Sequence, residues 1–460
     1  MSGTLRLINA TLHGLEHKGK LYDIYIREGR FESVQEQTSC EERVQAADIA
    51  SFGLPMEGEK HGRQNVFDLN GRMILPGMVD IHMHLDKAFS LPQVGNQTGT
   101  LLEAIQNYSS AASSFSKETI RARIVRTALQ AVSYGSTRLR SHLDFNVNAG
   151  EDIAMRTVEA ALEARALLGG VVELELYPMV PYRDLGRRGM ELIEESLRMG
   201  LDGIGGAPHL SAKPDADIEG IFELAVRLGV PIDLHCDETD NPEMKTVLKV
   251  AQETLRYDYY GKVNTGHLCS LSSMPAAEAD ELIEMMSLAG VHAATLPAAN
   301  LYLQGRADLG PVRRGVTRVR ELMEGGVTLA AASDNIHDPF HPFGRGDLLQ
   351  IAQLTGYAAH YGSPEDMVRL LDMVTVNPAL IAGLENYGIR AGGTADFVIV
   401  DARSPEEVFT CLPAGRWVAK SGAWVSVTRA SSRFGEERIQ RLWEESVLDT
   451  EGIGGSVVWK

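Results

Sequence analysis

MVDIHMH, residues 78–84, is the stretch on which the fold turns. It is too short for a helix, apolar at most positions, and ends in two histidines. Continuous apolarity over so few residues suits a strand buried on both faces. Seven further runs share this texture: STRLRSHLD (136–144), VELELYP (172–178), DGIGGAPH (202–209), PIDLHCDE (231–238), VNTGHLC (263–269), VHAATLP (291–297) and TLAAASDN (328–335). The stretches between them read as amphipathic helices. KETIRARIVRTALQAVSYG follows Ser116, a good N-cap residue, and stops at Gly135. EDIAMRTVEAALEARALLGG carries acids in its first turn and ends in two glycines. Eight strand–helix units predict an α/β fold, a (β/α)8 TIM barrel over residues 76–385.

On either side of the barrel the texture is that of short alternating strands. Residues 4–35 read this way, and NVFDLNGRMIL leads into Pro76-Gly77. Residues 37–64 are polar and Gly-rich and are expected to form an extended loop. After Asn377-Pro378 the strand pattern returns in GIRAGGTADFVIVD and RWVAKSGAWVSV. Residues 1–75 and 386–430 are therefore expected to form one small β-sandwich domain built from both chain ends, with 431–460 as a C-terminal tail. Trp417, Trp424, Trp443 and Trp459 all fall outside the barrel and are expected to pack this domain and the tail.

The 460 residues include 44 Lys and Arg against 62 Asp and Glu, a net charge of −18. That balance argues against nucleic acid or an anionic membrane as partner and fits an enzyme of small, weakly charged molecules. Cys40, Cys236, Cys269 and Cys411 form no C-x-x-C pair, which disfavours a zinc ribbon or a redox dithiol. No basic segment followed by an apolar one opens the chain, and no apolar run approaches the ~18–20 residues that span a bilayer. A cytoplasmic location is expected.

Catalytic side chains of such barrels sit at the C-terminal ends of the strands, and here those ends are polar. The first carries His82 and His84, the fifth His235-Cys236-Asp237-Glu238, the sixth His267, and the eighth Ser333-Asp334-Asn335. His82 and His84 are two apart, so both point to one face. Three imidazoles and one carboxylate at neighbouring strand ends can hold one divalent ion with a position open for water. Glu238 could reach both that water and a substrate ring nitrogen, and so shuttle a proton. His267 would orient or deprotonate the water, or polarise the bond under attack. Cys236 and Cys269 read as small buried hydrophobes. GNQTGTLLE (95–103) reads as a loop over the site, NLYLQGR (300–306) as a lid, and Arg313-Arg314 as a solvated turn.

Taken together these residues resemble the amidohydrolase superfamily, and within it the cytosine deaminase-like branch. The H-x-H-L-D motif stands at His82 to Asp86, N-Q-[ST]-G-T-L at Asn96 to Leu101, and H-C-D-E at His235 to Glu238. L-Q-G-R lies at 303–306, R-R-G-[IV]-T-R-V at 313–319, and SDNIHDPFHPFGRGDLLQ follows the eighth strand. The resemblance implies a mononuclear site, Zn2+ or Fe2+, held by His82, His84, His235 and Asp334. It implies that Glu238 protonates the ring nitrogen, that His267 assists water activation, and that Asp334 passes the water proton to the departing amine. Leu101, Tyr177, Met179, Asn335, Phe340 and Lys87 are the implied substrate contacts.

Some positions depart from the cytosine deaminase pattern. F-P-Q is Tyr177-Pro178-Met179 here, and a thioether accepts a hydrogen bond only weakly where the glutamine would read an amide edge. The second acid after the eighth strand is Asn335, and Phe340 replaces a tryptophan. H-x-H-L-D-K and S-D-N also resemble the N-isopropylammelide aminohydrolases, although Glu238 does not. The expectation is a metal-dependent aminohydrolase acting on a cytosine-like pyrimidine, pterin or triazine. The alternatives are hydrolysis of an N-alkyl amine or cyclic amide, and a non-catalytic barrel scaffold. A cytidine-deaminase-type zinc site would need P-C-x-x-C, which the chain lacks. Oligomeric relatives imply a homo-oligomer.

Overall fold

A computed structural model describes residues 4–37, 46–54, 65–180 and 186–443. Eight strands form its centre: β1 Met78–Met83, β2 Ser136–Asp144, β3 Glu173–Val180, β4 Ile204–Gly206, β5 Ile232–Cys236, β6 Val263–His267, β7 His292–Thr295 and β8 Leu329–Ala331. They pair in parallel and in chain order. The ring closes where Met83 bridges Asp334, whose N–H donates to the His82 carbonyl at 2.9 Å. The chain is thus a (β/α)8 barrel, and each strand falls within the run expected of it except β3, which continues two residues further, to Val180. Every residue of β1, β5, β6 and β8 is buried. Helices cover the outer face and neighbouring strands fill the inner one, which is why these runs do not alternate.

The helix over Lys117–Ser133 begins with Ser116 accepting from the Thr119 N–H, as its sequence suggested. Glu151–Leu167 follows β2 with two acids in its first turn. Beneath the mouth, the barrel interior holds charge as well as hydrocarbon. Arg140 donates to Asp233 at 2.7 Å and to Glu175 at 2.9 Å, and Asn264 donates to Asp233 at 3.0 Å. Arg140 and the carboxylates of Asp233 and Glu175 thus pair with one another, without which their desolvation would be costly.

The chain ends meet in one mixed sheet. Leu5–Leu12 pairs antiparallel with Tyr22–Arg27 and parallel with both Val66–Asp68 and Met73–Pro76. Phe397–Val400 runs antiparallel to Met73–Pro76, and Arg416–Lys420 and Ala423–Thr428 extend the sheet. Both halves share one core that includes Phe31, Phe67, Phe397 and Trp417. Trp424 packs on Phe52, Phe67 and Phe397. Trp443 lies against Phe434, and Trp459 is outside the described residues. The expected loop over 37–64 is interrupted: Ala47–Asp48 forms a short strand parallel to Val66–Asp68. Residues 38–45 and 55–64 are outside the described residues. Arg416 hooks this domain to the barrel, donating to both oxygens of buried Asp347 at 2.8 and 3.0 Å.

Candidate metal and active site

Four side chains converge at the mouth of the barrel. The Nε2 atoms of His82 and His235 lie 3.1 Å apart, as do those of His235 and His84. Asp334 Oδ1 lies 3.3 Å from His84 Nε2 and 3.8 Å from His82 Nε2. All four residues are buried. Burial, reinforced by neighbouring histidines for His82 and His235 and by Lys87 for His84, holds the three imidazoles well below their usual pKa. They are neutral, the form that binds metal. Neither oxygen of Asp334 has a hydrogen-bond partner among the described residues. A cation bound at ~2.0–2.1 Å would place tetrahedral ligands roughly 3.3 Å apart and would occupy these orphaned atoms. The residues fit a divalent ion.

Surrounding groups fix this geometry. His84 Nδ1 lies 3.0 Å from the His142 carbonyl, so its proton sits there and Nε2 keeps its lone pair. His209 Nδ1 holds the carbonyl of His235 at 3.0 Å. Asp80 Oδ1 accepts from the N–H of Ser333 at 3.2 Å and of His82 at 3.4 Å, tying β8 to β1. Burial pushes the Asp80 carboxyl up to about 7. The backbone turns sharply where the strands end. Asp237, His267 and Asp334 have φ of 55°, 72° and 61°, a conformation that costs energy in non-glycine residues and collects at functional sites.

Glu238 and His267 stand beside the cluster. Burial, and then Asp334, push the Glu238 carboxyl well above its usual range, which favours its protonated form. Its Oε1 lies 3.6 Å from His267 Nδ1. Burial lowers His267 to about 3, leaving it neutral. The fully buried Asn300 places its amide nitrogen 3.0 Å from His267 Nδ1. With Asn300 donating, the ring proton of His267 is on Nε2.

A cavity of about 330 Å³ opens over the cluster. Of the expected substrate contacts, Lys87, Leu101, Met179, Asn335 and Phe340 line it. Tyr177 does not. It shares the inward face of β3 with Met179 but sits one layer deeper, buried against Arg140 at 4.6 Å. A period of two gives the face and says nothing of depth. Asn335 donates to Asp338 at 2.7 Å.

Asp144, Tyr108, Asn300, His142 and Gly266 belong to the site and were not singled out from sequence for these roles. Asp144 and His142 end the second apolar run, where the signal that exposed His82 also applied. Asn300 opens the segment read as a lid. That segment is pinned across the mouth: Gly305 N–H donates to Asp240 at 2.7 Å and Arg306 to the Thr98 carbonyl at 3.3 Å. Arg313 pairs with Asp308 at 2.7 Å, a structural turn. Cys236 and Cys269 are buried free thiols.

Fold and site define a barrel with a histidine–aspartate metal cluster at its catalytic end. The amidohydrolase family model matches residues 108–425. The pterin deaminase of Rhizobium rhizogenes is 31% identical over 364 residues, covering 77% of this chain and 81% of its own. The N-isopropylammelide isopropyl amidohydrolase of Pseudomonas sp. (strain ADP) is 28% identical over 82% of this chain and 92% of its own. The crystal structure of Klebsiella pneumoniae 5-methylcytosine deaminase with 5-fluorocytosine superposes with a TM-score of 0.83 at 26% identity, over 94% of this chain and 100% of that one. The chain belongs to the amidohydrolase family, whose members are hydrolases acting on C–N bonds. Among the described residues no helix is long and apolar enough to cross a membrane.

Proposed function

We propose that this protein is a metal-dependent aminohydrolase that removes an exocyclic amine from a nitrogen heterocycle, giving a carbonyl and ammonia. One observation carries the reading: His267 and Glu238, whose carboxyl is pushed well above its usual range, face the same cavity as a cluster whose Asp334 oxygens lack hydrogen-bond partners among the described residues. His82, His84, His235 and Asp334 would hold one divalent ion, Zn2+ or Fe2+. When bound, such an ion acts as a Lewis acid that makes water nucleophilic near neutral pH. Glu238 donates its proton to the ring nitrogen next to the carbon under attack. Asp334 Oδ2 takes a proton from the attacking water and passes it to the amine. Glu238 regains its proton from the new hydroxyl as the carbonyl forms. One water proton thus ends on ammonia and the other restores Glu238, whose original proton stays on the ring nitrogen. His267 orients the water, and Leu101, Met179 and Phe340 keep bulk solvent out.

The names of the pterin and 5-methylcytosine deaminases support this substrate class. A second reading, hydrolysis of an N-alkyl amine, is favoured by Lys87 and Asn335 and by the N-isopropylammelide relative. A cytoplasmic, homo-oligomeric enzyme of small molecules, with no nucleic-acid or membrane partner, goes with either. The test is release of ammonia or alkylamine by zinc- or iron-loaded protein from cytosine, isocytosine, pterin, creatinine, aminotriazines and N-alkylaminotriazines. Glu238→Gln should keep the metal and lose turnover by ~10²–10⁴-fold, the usual share of a general acid. Unchanged turnover in that variant would remove Glu238 from the mechanism.

A further inference from the structure

Among the described residues Lys87 is the one lysine or arginine lining the cavity, and it is 2% exposed. Among the described residues its ammonium makes no hydrogen bond. Its nearest opposite charge is Asp144 Oδ1 at 3.7 Å, an ion pair too long for a good hydrogen bond. The rings of Phe340 and Tyr108 flank it at 5.1 and 5.5 Å. Asp144 lies at the end of β2 and lines the same cavity, with Lys87 as its one ion-pair partner among the described residues. A buried ammonium beside a half-buried carboxylate, paired only at 3.7 Å, keeps hydrogen-bonding capacity that a group in the cavity can use. Lys87 is also close enough to the catalytic groups that its charge opposes the burial of Glu238 and Asp334. Whatever Lys87 holds therefore lies beside the reacting centre.

The pair constrains its ligand. A carboxylate or phosphate facing Lys87 would be repelled by Asp144, and a second cation facing Asp144 by Lys87. A neutral group that offers an acceptor and a donor on neighbouring atoms satisfies both. A ring lactam does so, with its carbonyl oxygen next to its N–H. Met179 cannot read such an edge from β3, because a thioether is a poor acceptor and no donor. We infer that Lys87 and Asp144 read a lactam edge of the substrate, Lys87 donating to the ring carbonyl and Asp144 accepting from the adjacent ring N–H. This rests on the aminohydrolase reading and narrows it to amino-oxo heterocycles.

The test compares rings that share an aminated amidine and differ in the lactam: isocytosine with 2-aminopyrimidine, pterin with 2-aminopteridine, and cytosine with 4-aminopyrimidine. Zinc-loaded protein is assayed for ammonia release and, by calorimetry, for binding of each ring. The lactam member of at least one pair should be preferred by about 100-fold or more, since a site built for hydrogen bonds rejects an analogue lacking them. In Lys87→Met and Asp144→Asn that ratio should collapse toward one, with Lys87→Arg intermediate. Equal turnover or binding within every pair, or a ratio that survives both variants, overturns the inference. Binding of none of the rings overturns it as well. Lactam-dependent binding without ammonia release upholds it and overturns the aminohydrolase reading instead.

Discussion

Gly266, one residue before His267 in β6, should be a position where one methyl group weakens metal binding. A Cβ there would stand 2.9 Å from His82 Cε1 and 3.0 Å from its Nδ1. Ordinary contacts begin at 3.4 Å, so the ring must retreat by 0.5 Å (3.4 − 2.9). It has little room, because the His142 ring lies 4.1 Å away by centroid and His82 is fully buried. Metal sites tolerate ligand errors of only ~0.2 Å. Overpacking of this kind costs about 1–3 kcal/mol, which corresponds to about 5- to 150-fold in affinity if it falls wholly on the ligand set. The backbone of Gly266 is outside the left-handed region, so Gly266→Ala brings no conformational penalty of its own. Competition against a chromogenic zinc chelator reads the affinity. Gly220→Ala, in the helix over Pro214–Leu228 with nothing within 4 Å of the new Cβ, is the control. Zinc affinity in Gly266→Ala within twofold of the parent would refute the placement of His82 in the ligand set.

Asp347→Ala should destabilise the fold by about 3–5 kcal/mol in urea unfolding, because it strands the buried Arg416 guanidinium; a loss under 1 kcal/mol would show that the hook is not needed. Chelation of the metal should lower stability by ~4 kcal/mol relative to protein held at a thousand times its dissociation constant, and a melting temperature indifferent to zinc would contradict the cluster. Burial raises Asp338 to about 7, so the folded state holds a proton that the unfolded chain, with a carboxyl near 3.9, releases. Its stabilising contribution is therefore complete below about pH 4 and lost as pH rises through about 7. Asp338→Asn should remove that decline, up to about 1.4 kcal/mol per pH unit, and parallel stability–pH curves for the two proteins would refute it. Asn300→Leu should keep the metal and lower turnover ~10- to 100-fold by freeing His267, and normal turnover would show that the ring is held by other means.

Much of this was legible in the residues alone. β1 to β8 can be read because a strand covered on both faces needs continuous apolarity, and nothing else so short carries it. His82, His84, His235 and Asp334 can be picked out because polar side chains at the ends of such strands contradict their burial unless they do chemistry. Both signals are local, set by a few neighbouring residues and a period of two. Depth and long-range pairing are not local. Tyr177 and Met179 share a face, and only the tilt of β3 in the closed barrel decides that one lines the cavity while the other packs on Arg140. Lys87 meets Asp144 across two strands, Asn300 reaches His267 from the helix after β7, and Gly266 makes room for a histidine from β1. The sequence determined which polar residues stand at the strand ends. Barrel closure decided which side chains face one another, because strands distant in the chain become neighbours only when the sheet returns on itself.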